Sequence, residues 1–310
     1  MQKISIITPT YNEEDNVLKL IEEVKRVFSK IPEYSYEHIF IDNSSLDRTV
    51  EILREEAKTD SRIKIIVNSR NFGHIRSPYY GLLQCTGDAA ILLVADLQDP
   101  PDLIIDLVKK WEEGNDLVMA VKSESYESKY MFFLRKIYYS LSSKLAEIKL
   151  QKNFYGFGIY DKKLLEILKT VKDPYPYLRG LVLELGFKVD KIYYKQPVRY
   201  KGITKNNFFT LYDMAMLGIC SHSRVPLRVA TILGFALSAL SVVVAFGYFI
   251  AKLIFWNSFS LGMAPLIISL FLFSSVQLFF IGIVGEYIGH LVIKSSPLPL
   301  VIEKERVNFD

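Results

Sequence analysis

Three polar clusters hold the residue types that chemistry needs. They are Thr8-Pro9-Thr10-Tyr11-Asn12-Glu13, Asp42-Asn43-Ser44-Ser45-Leu46-Asp47-Arg48-Thr49 and Asp96-Leu97-Gln98-Asp99-Pro100-Pro101, each placed just after an apolar run. A carboxylate in such a place is often only a helix cap, and Asp47 reads as one. Asp96 carries more. It directly follows an apolar strand, and Gln98 and Asp99 supply two further oxygen donors. That arrangement suits a hard divalent cation bridging a diphosphate. There is no Walker loop, no G-x-G-x-x-G and no nucleophile elbow. Cys85 and Cys220 give neither a disulfide framework nor a zinc spacing, so they read as reduced, buried thiols.

The elements that must position these clusters alternate in type. Ile4–Ile7 is a short apolar run ended by Thr8-Pro9-Thr10. Val17, Leu20, Ile21, Val24 and Phe28 then follow helical spacing, with Asn16 as the cap. Ile39–Ile41, Ile63–Val67, Ala89–Ala95 and Leu117–Val121 read as further strands, and Val50, Leu53 and Ala57 mark a second helix. This βαβα rhythm predicts an α/β fold with a parallel sheet and helices on both faces. Ligands of such folds sit beyond the carboxyl ends of the strands, where Tyr11, Asp42 and Asp96 fall.

The second half of the chain changes character. No residue is charged from Val229 to Ala251, nor from Leu253 to Gly285. Each stretch exceeds the roughly 20 apolar residues that cross a bilayer. Trp256-Asn257-Ser258-Phe259-Ser260 separates them as a short turn. Arg224 and Arg228 precede the first span, and Lys294, Lys304 and Arg306 follow the second. This bias predicts a multi-pass protein of the cytoplasmic membrane with both termini in the cytoplasm; Lys252 opposes it and would snorkel. The alternative, a buried hairpin in a soluble core, demands that both stretches be covered by protein. The N-terminus does not read as a signal peptide, because Pro9, Asn12, Glu13 and Glu14 interrupt the apolar run at once. Two apolar stripes with basic opposite faces, Tyr126 to Ile148 and Phe208 to Ile219, suit a membrane surface or packing on the sheet. The expected division is a catalytic domain at 1–205, an amphipathic helix at 206–225, two membrane helices at 226–294 and a cytoplasmic tail at 295–310. A net charge of +4 is too weak to point to nucleic acid. Two thin spans leave room for packing between chains, as a homo-oligomer.

Five stretches together resemble a family. T-P-T-Y-N-E-E at 8–14, N-F-G at 71–73, A-D-L-Q-D-P-P at 95–101, R-Y-K-G-I-T-K at 199–205 and G-E-Y-I-G at 285–289 are similar, in the same order, to the family 2 glycosyltransferases that make polyprenyl-phosphate sugars. The resemblance is to the dolichyl-phosphate mannose synthase type, in its bacterial group with two C-terminal spans. It implies a GT-A-type, Rossmann-like mixed sheet. It implies transfer of a sugar, with inversion, from a UDP- or GDP-linked donor to a polyprenyl phosphate at the cytoplasmic membrane face. Residue by residue, Pro9, Tyr11, Glu13 and Asp42 would bind the nucleotide. Asp96 and Gln98 would hold Mg²⁺ or Mn²⁺ against the diphosphate, and Arg199 and Lys205 would neutralise phosphate charge. A cation with Arg and Lys stabilises the charge that builds on a diphosphate leaving group.

Three acidic positions of that pattern are missing here. Val94 replaces the first Asp of D-A-D-L-Q, Asn43 follows Asp42 in place of a second acid, and Gly156 stands where the base is expected, with Gly158 replacing the Arg of the same motif. These losses favour a rival reading, a weak or inactive homologue that binds or scaffolds a lipid-linked sugar. Asp96, Gln98, Arg199, Lys205 and Tyr11 favour the enzyme. A processive polysaccharide synthase would need more spans and a Q-x-x-R-W stretch, which the sequence lacks.

Overall fold

The computed structural model describes residues 1–124, 151–197, 216–218, 220, 221, 223, 225–255 and 263–309. Arg199, Lys205, the turn at 256–260, the stripe at 126–148 and most of that at 208–219 lie outside the described residues.

An eight-stranded sheet runs in the order β7-β5-β6-β4-β1-β2-β3-β8. Its strands are β1 (Gln2–Thr10), β2 (Tyr34–Asp42), β3 (Ile63–Asn68), β4 (Ala89–Leu92), β5 (Leu117–Glu124), β6 (Phe154–Asp161), β7 (Val189–Lys195) and β8 (Glu303–Val307). β4, β1, β2 and β3 are parallel, as the alternation predicts. The sheet as a whole is mixed, because β6 runs antiparallel between β4 and β5 and β8 runs antiparallel to β3. β6 contains two glycines and β8 is mostly charged, so neither carries the apolar run by which the first strands are recognised.

Central strands alternate their side chains between two cores. Ile4, Ile6, Phe40, Ile65 and Ile91 point to one, with helices α1 (Val17–Phe28), α2 (Thr49–Thr59) and α4 (Leu103–Glu112). Ile7, Ile39, Ile41, Ile66 and Leu92 point to the other, with α3 (Gly73–Leu83), α5 (Lys162–Thr170) and α6 (Leu178–Glu184). Period-two side chains with both faces covered give the unbroken apolar runs of the parallel strands. Asn16 does occupy the N-cap of α1, but its side chain makes no cap bond; it donates to Glu13 Oε2 instead (2.6 Å). β1 runs on through Pro9 to Thr10, past the expected end at Ile7, while its β4 neighbour stops at the Ile7–Leu92 pair.

Helices α7 (Val225–Ile254) and α8 (Met263–Lys294) are long and apolar enough to cross a membrane. Their apolar side chains face outward: Phe235 is 74 % exposed and Phe271 68 %. Among the described residues no protein covers these helices, which disagrees with a hairpin buried in the chain's own core, and exposed apolar surface of this extent suits membrane association. After α8 the chain returns to the sheet. Ser69 N donates to Ile302 O (2.8 Å), Arg54 pairs with Glu305, and Asn308 Nδ2 donates to Ala57 O and Ile63 O (2.9 Å each). The segment expected as a tail therefore carries an edge strand of the catalytic sheet.

Candidate active site

The loops after β1 and β2 are laced into one shelf. Thr10 and Asp42 pair in register at the carboxyl ends of their strands. The Asp42 carboxylate is fully buried and accepts bonds from Thr10 Oγ1 (3.1 Å), Ser45 N (2.8 Å) and Ser45 Oγ. Burial pushes its pKa up, against those bonds, which favour the charged form. Across the gap Asn12 N donates to Ser45 Oγ (2.8 Å), Leu46 N to Asn12 Oδ1 (2.8 Å), and Glu13 N to Thr49 Oγ1 (2.8 Å). Asp47 accepts from Glu14 N (3.2 Å) and from Thr49 N (3.0 Å), so it does serve the first turn of α2, from one residue before the cap position. Pro9, Tyr11 and Glu13 are half-buried along this shelf, so the structure brings the four expected nucleotide residues together.

Asn43 has a task that the sequence did not reveal. Its Nδ2 donates to Gly73 O (3.2 Å), while its Oδ1 accepts from Asn68 Nδ2 (3.0 Å) and Phe72 N (3.2 Å). It thereby ties the 71–73 stretch to the end of β2. A carboxylate here would have no proton to offer Gly73 O, which explains the amide.

The third loop follows β4, which ends at Leu92 rather than Ala95. Asp96 is half-buried, and its Oδ1 accepts from Gln98 N (3.1 Å), closing a turn that holds both side chains in one loop. Asp99, read from sequence as a further oxygen donor, faces inward. It is 4 % exposed, accepts a bond from Tyr194 Oη and lies 3.8 Å from Lys122 Nζ. Burial raises its pKa, against the Lys122 charge and the Tyr194 bond. Among the described residues no three of His, Cys, Asp and Glu converge as a metal cage. Asp96 and Gln98 still fit a cation whose other ligands are phosphate oxygens and water, the usual situation for Mg²⁺. Asn12 (φ 54°), Ser44 (φ 63°) and Leu97 (φ 59°), one in each loop, are left-handed without being glycine. Such strain concentrates where a ligand is held.

The two glycines of the 153–158 stretch are explained by β6 itself. Gly156 has φ +107°, and a Cβ there would lie 3.2 Å from Leu92 Cδ2. A Cβ on Gly158 would meet Val118 O at 2.4 Å, so the approach of β5 excludes any side chain.

Known proteins share both the fold and the sequence. The glycosyl transferase family 2 profile matches residues 5–168. The uncharacterized glycosyltransferase YkcC of Bacillus subtilis is 35 % identical over 99 % of this chain and 94 % of its own. The bactoprenol glucosyl transferase of Shigella phage SfV is 32 % identical over 97 % of this chain and 98 % of its own. Among solved structures, the mannosyltransferase PcManGT of Pyrobaculum calidifontis, in complex with GDP-Man and Mn²⁺, aligns with a TM-score of 0.50 at 16 % identity, over 93 % of this chain and 87 % of its own. Glucosyl-3-phosphoglycerate synthase of Mycobacterium tuberculosis, with Mn²⁺, UDP and phosphoglyceric acid, gives 0.50 at 19 % identity, over 71 % and 76 %. With a GT-A fold, a shelf and acidic loop at the strand ends, and relatives alike over nearly their whole length, this chain belongs to glycosyl transferase family 2 and is a glycosyltransferase.

Proposed function

We propose that the enzyme transfers a sugar from a UDP- or GDP-linked donor to a polyprenyl phosphate at the cytoplasmic membrane face, with inversion. One observation carries the reading. The likeness to bactoprenol glucosyl transferases extends over 97 % of the chain, through α7 and α8 as well as the catalytic sheet. A soluble acceptor would give no reason for the membrane helices. The division into a catalytic domain, a juxtamembrane helix and two spans follows from the same reading. Pairing of β8 with β3 supports two crossings, since the chain must come back to the side it left.

In this mechanism Pro9, Tyr11, Glu13 and the Asp42–Ser45 turn receive the nucleotide. Asp96 and Gln98 would hold Mg²⁺ or Mn²⁺, which supplies positive charge to the diphosphate leaving group when bound. Arg199 and Lys205, outside the described residues, are assigned to the phosphate charges of donor and acceptor alike. The acceptor needs little help from a base, because a phosphate monoester with a second pKa of about 6 is already an anionic nucleophile at neutral pH. Its oxygen attacks the anomeric carbon opposite the leaving diphosphate, forming one C–O bond as the other breaks. Gly156 is compatible with this chemistry, whereas a sugar hydroxyl acceptor would call for a carboxylate. Purified protein incubated with radiolabelled nucleotide sugars and undecaprenyl phosphate should yield a labelled lipid. Absence of that product with every donor would defeat the proposal and leave the lipid-linked-sugar binding role.

A further inference from the structure

Three hydroxyls of the membrane helices are satisfied within their own helix. Thr231 Oγ1 donates to Leu227 O (2.9 Å), Ser241 Oγ to Leu237 O (2.8 Å) and Ser275 Oγ to Phe271 O (2.7 Å), each one turn back. Gln277 cannot follow them. It is the one amide side chain in the charge-free stretches 229–251 and 263–285. It stands near the middle of the 32 residues of α8, and it is exposed. Among the described residues its side chain makes no hydrogen bond. Its N–H groups could turn to a backbone carbonyl, but its own carbonyl needs a donor. Every N–H of a helix interior is already given to the carbonyl four residues back. Lipid tails supply no donor either, so a glutamine at this depth is satisfied from another helix.

The face that carries it is free. At about 100° per residue, Gln277 shares one side of α8 with Leu270, Ser274, Ile281, Val284 and Ile288. All of these are exposed. The chain's own contacts with α8 lie on its other sides, where Ser221 Oγ and His290 Nε2 are 3.2 Å apart and Tyr287 Oη donates to Ser223 O (2.7 Å).

Whatever covers this face must offer a donor at the depth of Gln277. A second copy does so by construction, because chains inserted in the same orientation hold their Gln277 side chains at equal depth. A primary amide is also complementary to itself, each carbonyl accepting an N–H from its mate. A two-fold axis then joins the same surface of each chain, and the small Ser274 beside the amide lets the two backbones approach.

We propose that α8 pairs with α8 of a second copy through the face of Leu270, Ser274, Gln277, Ile281, Val284 and Ile288, with the two Gln277 amides bonded to each other inside the membrane. The pairing rests on α8 crossing the membrane, and on nothing about the sugar or its acceptor.

The test is energy transfer between full chains dye-labelled at Lys304→Cys, with Cys220 as serine, in phosphatidylcholine vesicles over a range of protein-to-lipid ratios. Copies with Gln277 should pair, and Gln277→Leu should weaken pairing by about five- to thirtyfold. Gln277→Asn should keep part of it. Leucine suits an apolar span, so Gln277→Leu should insert and melt like its parent. Oxidation of vesicles holding single-cysteine chains locates the face: Ser274→Cys and Ile281→Cys should cross-link, and Phe279→Cys, exposed on the opposite side, should not. Unchanged pairing in Gln277→Leu overturns the proposal, as does cross-linking from Phe279→Cys equal to that from Ser274→Cys. A chain that enters the vesicles and stays monomeric overturns it too, and leaves the amide to a helix of some other membrane protein. A chain that does not enter the vesicles at all would overturn the membrane reading along with the pairing.

Discussion

In the proposed reaction Asp96 would meet the cation's anionic demand alone, since the Val94 side chain offers no oxygen and Asp99 is turned into the core against Tyr194. Removing its charge should lower transfer by about 10²–10³-fold or more. The check is the rate of Asp96→Asn against wild type with Mg²⁺ or Mn²⁺ added and with chelator; wild-type-like activity under chelation would end the metal assignment. Gly156 makes the opposite case. A carboxylate placed there meets a φ of +107° as well as Leu92, so Gly156→Asp should cost about 1–3 kcal/mol of stability. It should restore no activity, because the acceptor phosphate is already ionised. Rate–pH profiles measured beside the melting temperatures decide this: the wild-type rate should fall below about pH 6, as the acceptor takes up its proton. A rise of orders of magnitude in Gly156→Asp would show that a base was missing after all.

Among elements, β8 is the one whose role differs most from its composition. Its charged residues suit an edge strand, where like surfaces must not pair. It covers the edge of β3 and brings Glu305 to Arg54, Arg306 to Gln84 (2.8 Å) and Asn308 to the end of α2. Just before it, Lys294 at the end of α8 pairs with Asp173 (3.2 Å). Deleting residues 297–310 should leave membrane insertion intact but uncover β3. The truncated protein should melt at lower temperature and associate through the open edge, as light scattering in detergent would record. A truncated protein that melts and assembles like the full chain would mean that β8 only decorates the sheet.

For the whole molecule, the return of β8 to the catalytic sheet makes a topology prediction sharper than charge bias alone. In intact cells Ser258→Cys should react with an impermeant thiol reagent and Lys304→Cys should not, in a background where Cys220 is serine. Lys304 is the better probe on the inner side because it is exposed, whereas Asn308 is engaged with α2. The reverse labelling would sink the hairpin. The opposite end of the sheet from the site is held by Glu37, which is buried and takes bonds from Lys3 Nζ (2.8 Å), Ser5 Oγ (2.6 Å) and Thr86 N (2.9 Å), with Lys64 Nζ at 2.9 Å. Burial alone would raise its pKa, but these partners together bring it down to about 2. A depressed carboxylate contributes stability above its unfolded pKa and loses it as pH falls from about 4.5 towards 2. Glu37→Gln should therefore lose about 3–5 kcal/mol at neutral pH, and the gap to wild type should close across that acidic window. Denaturation curves at pH 7 and pH 3 measure it; an equal gap at both would show that shape, not charge, matters at Glu37.

The sequence alone was enough for what depends on local pattern. Runs such as Ile4–Ile7 and Ile39–Ile41, buried on both faces, announce parallel strands, and charge-free stretches of bilayer length announce α7 and α8. Motifs close in sequence, such as Tyr11 to Glu13 and Asp96 to Gln98, fall at strand ends because that is where a loop follows an apolar run. Only the tertiary structure decided what depends on partners distant in the chain. It turned Asp99 into the core, because Tyr194, on β7, reaches it. It made an amide of Asn43 intelligible through Gly73, and gave Gly156 and Gly158 their reasons through Leu92 and Val118. It also changed a charged tail into β8, since edge pairing is made by backbone groups that every sequence carries alike.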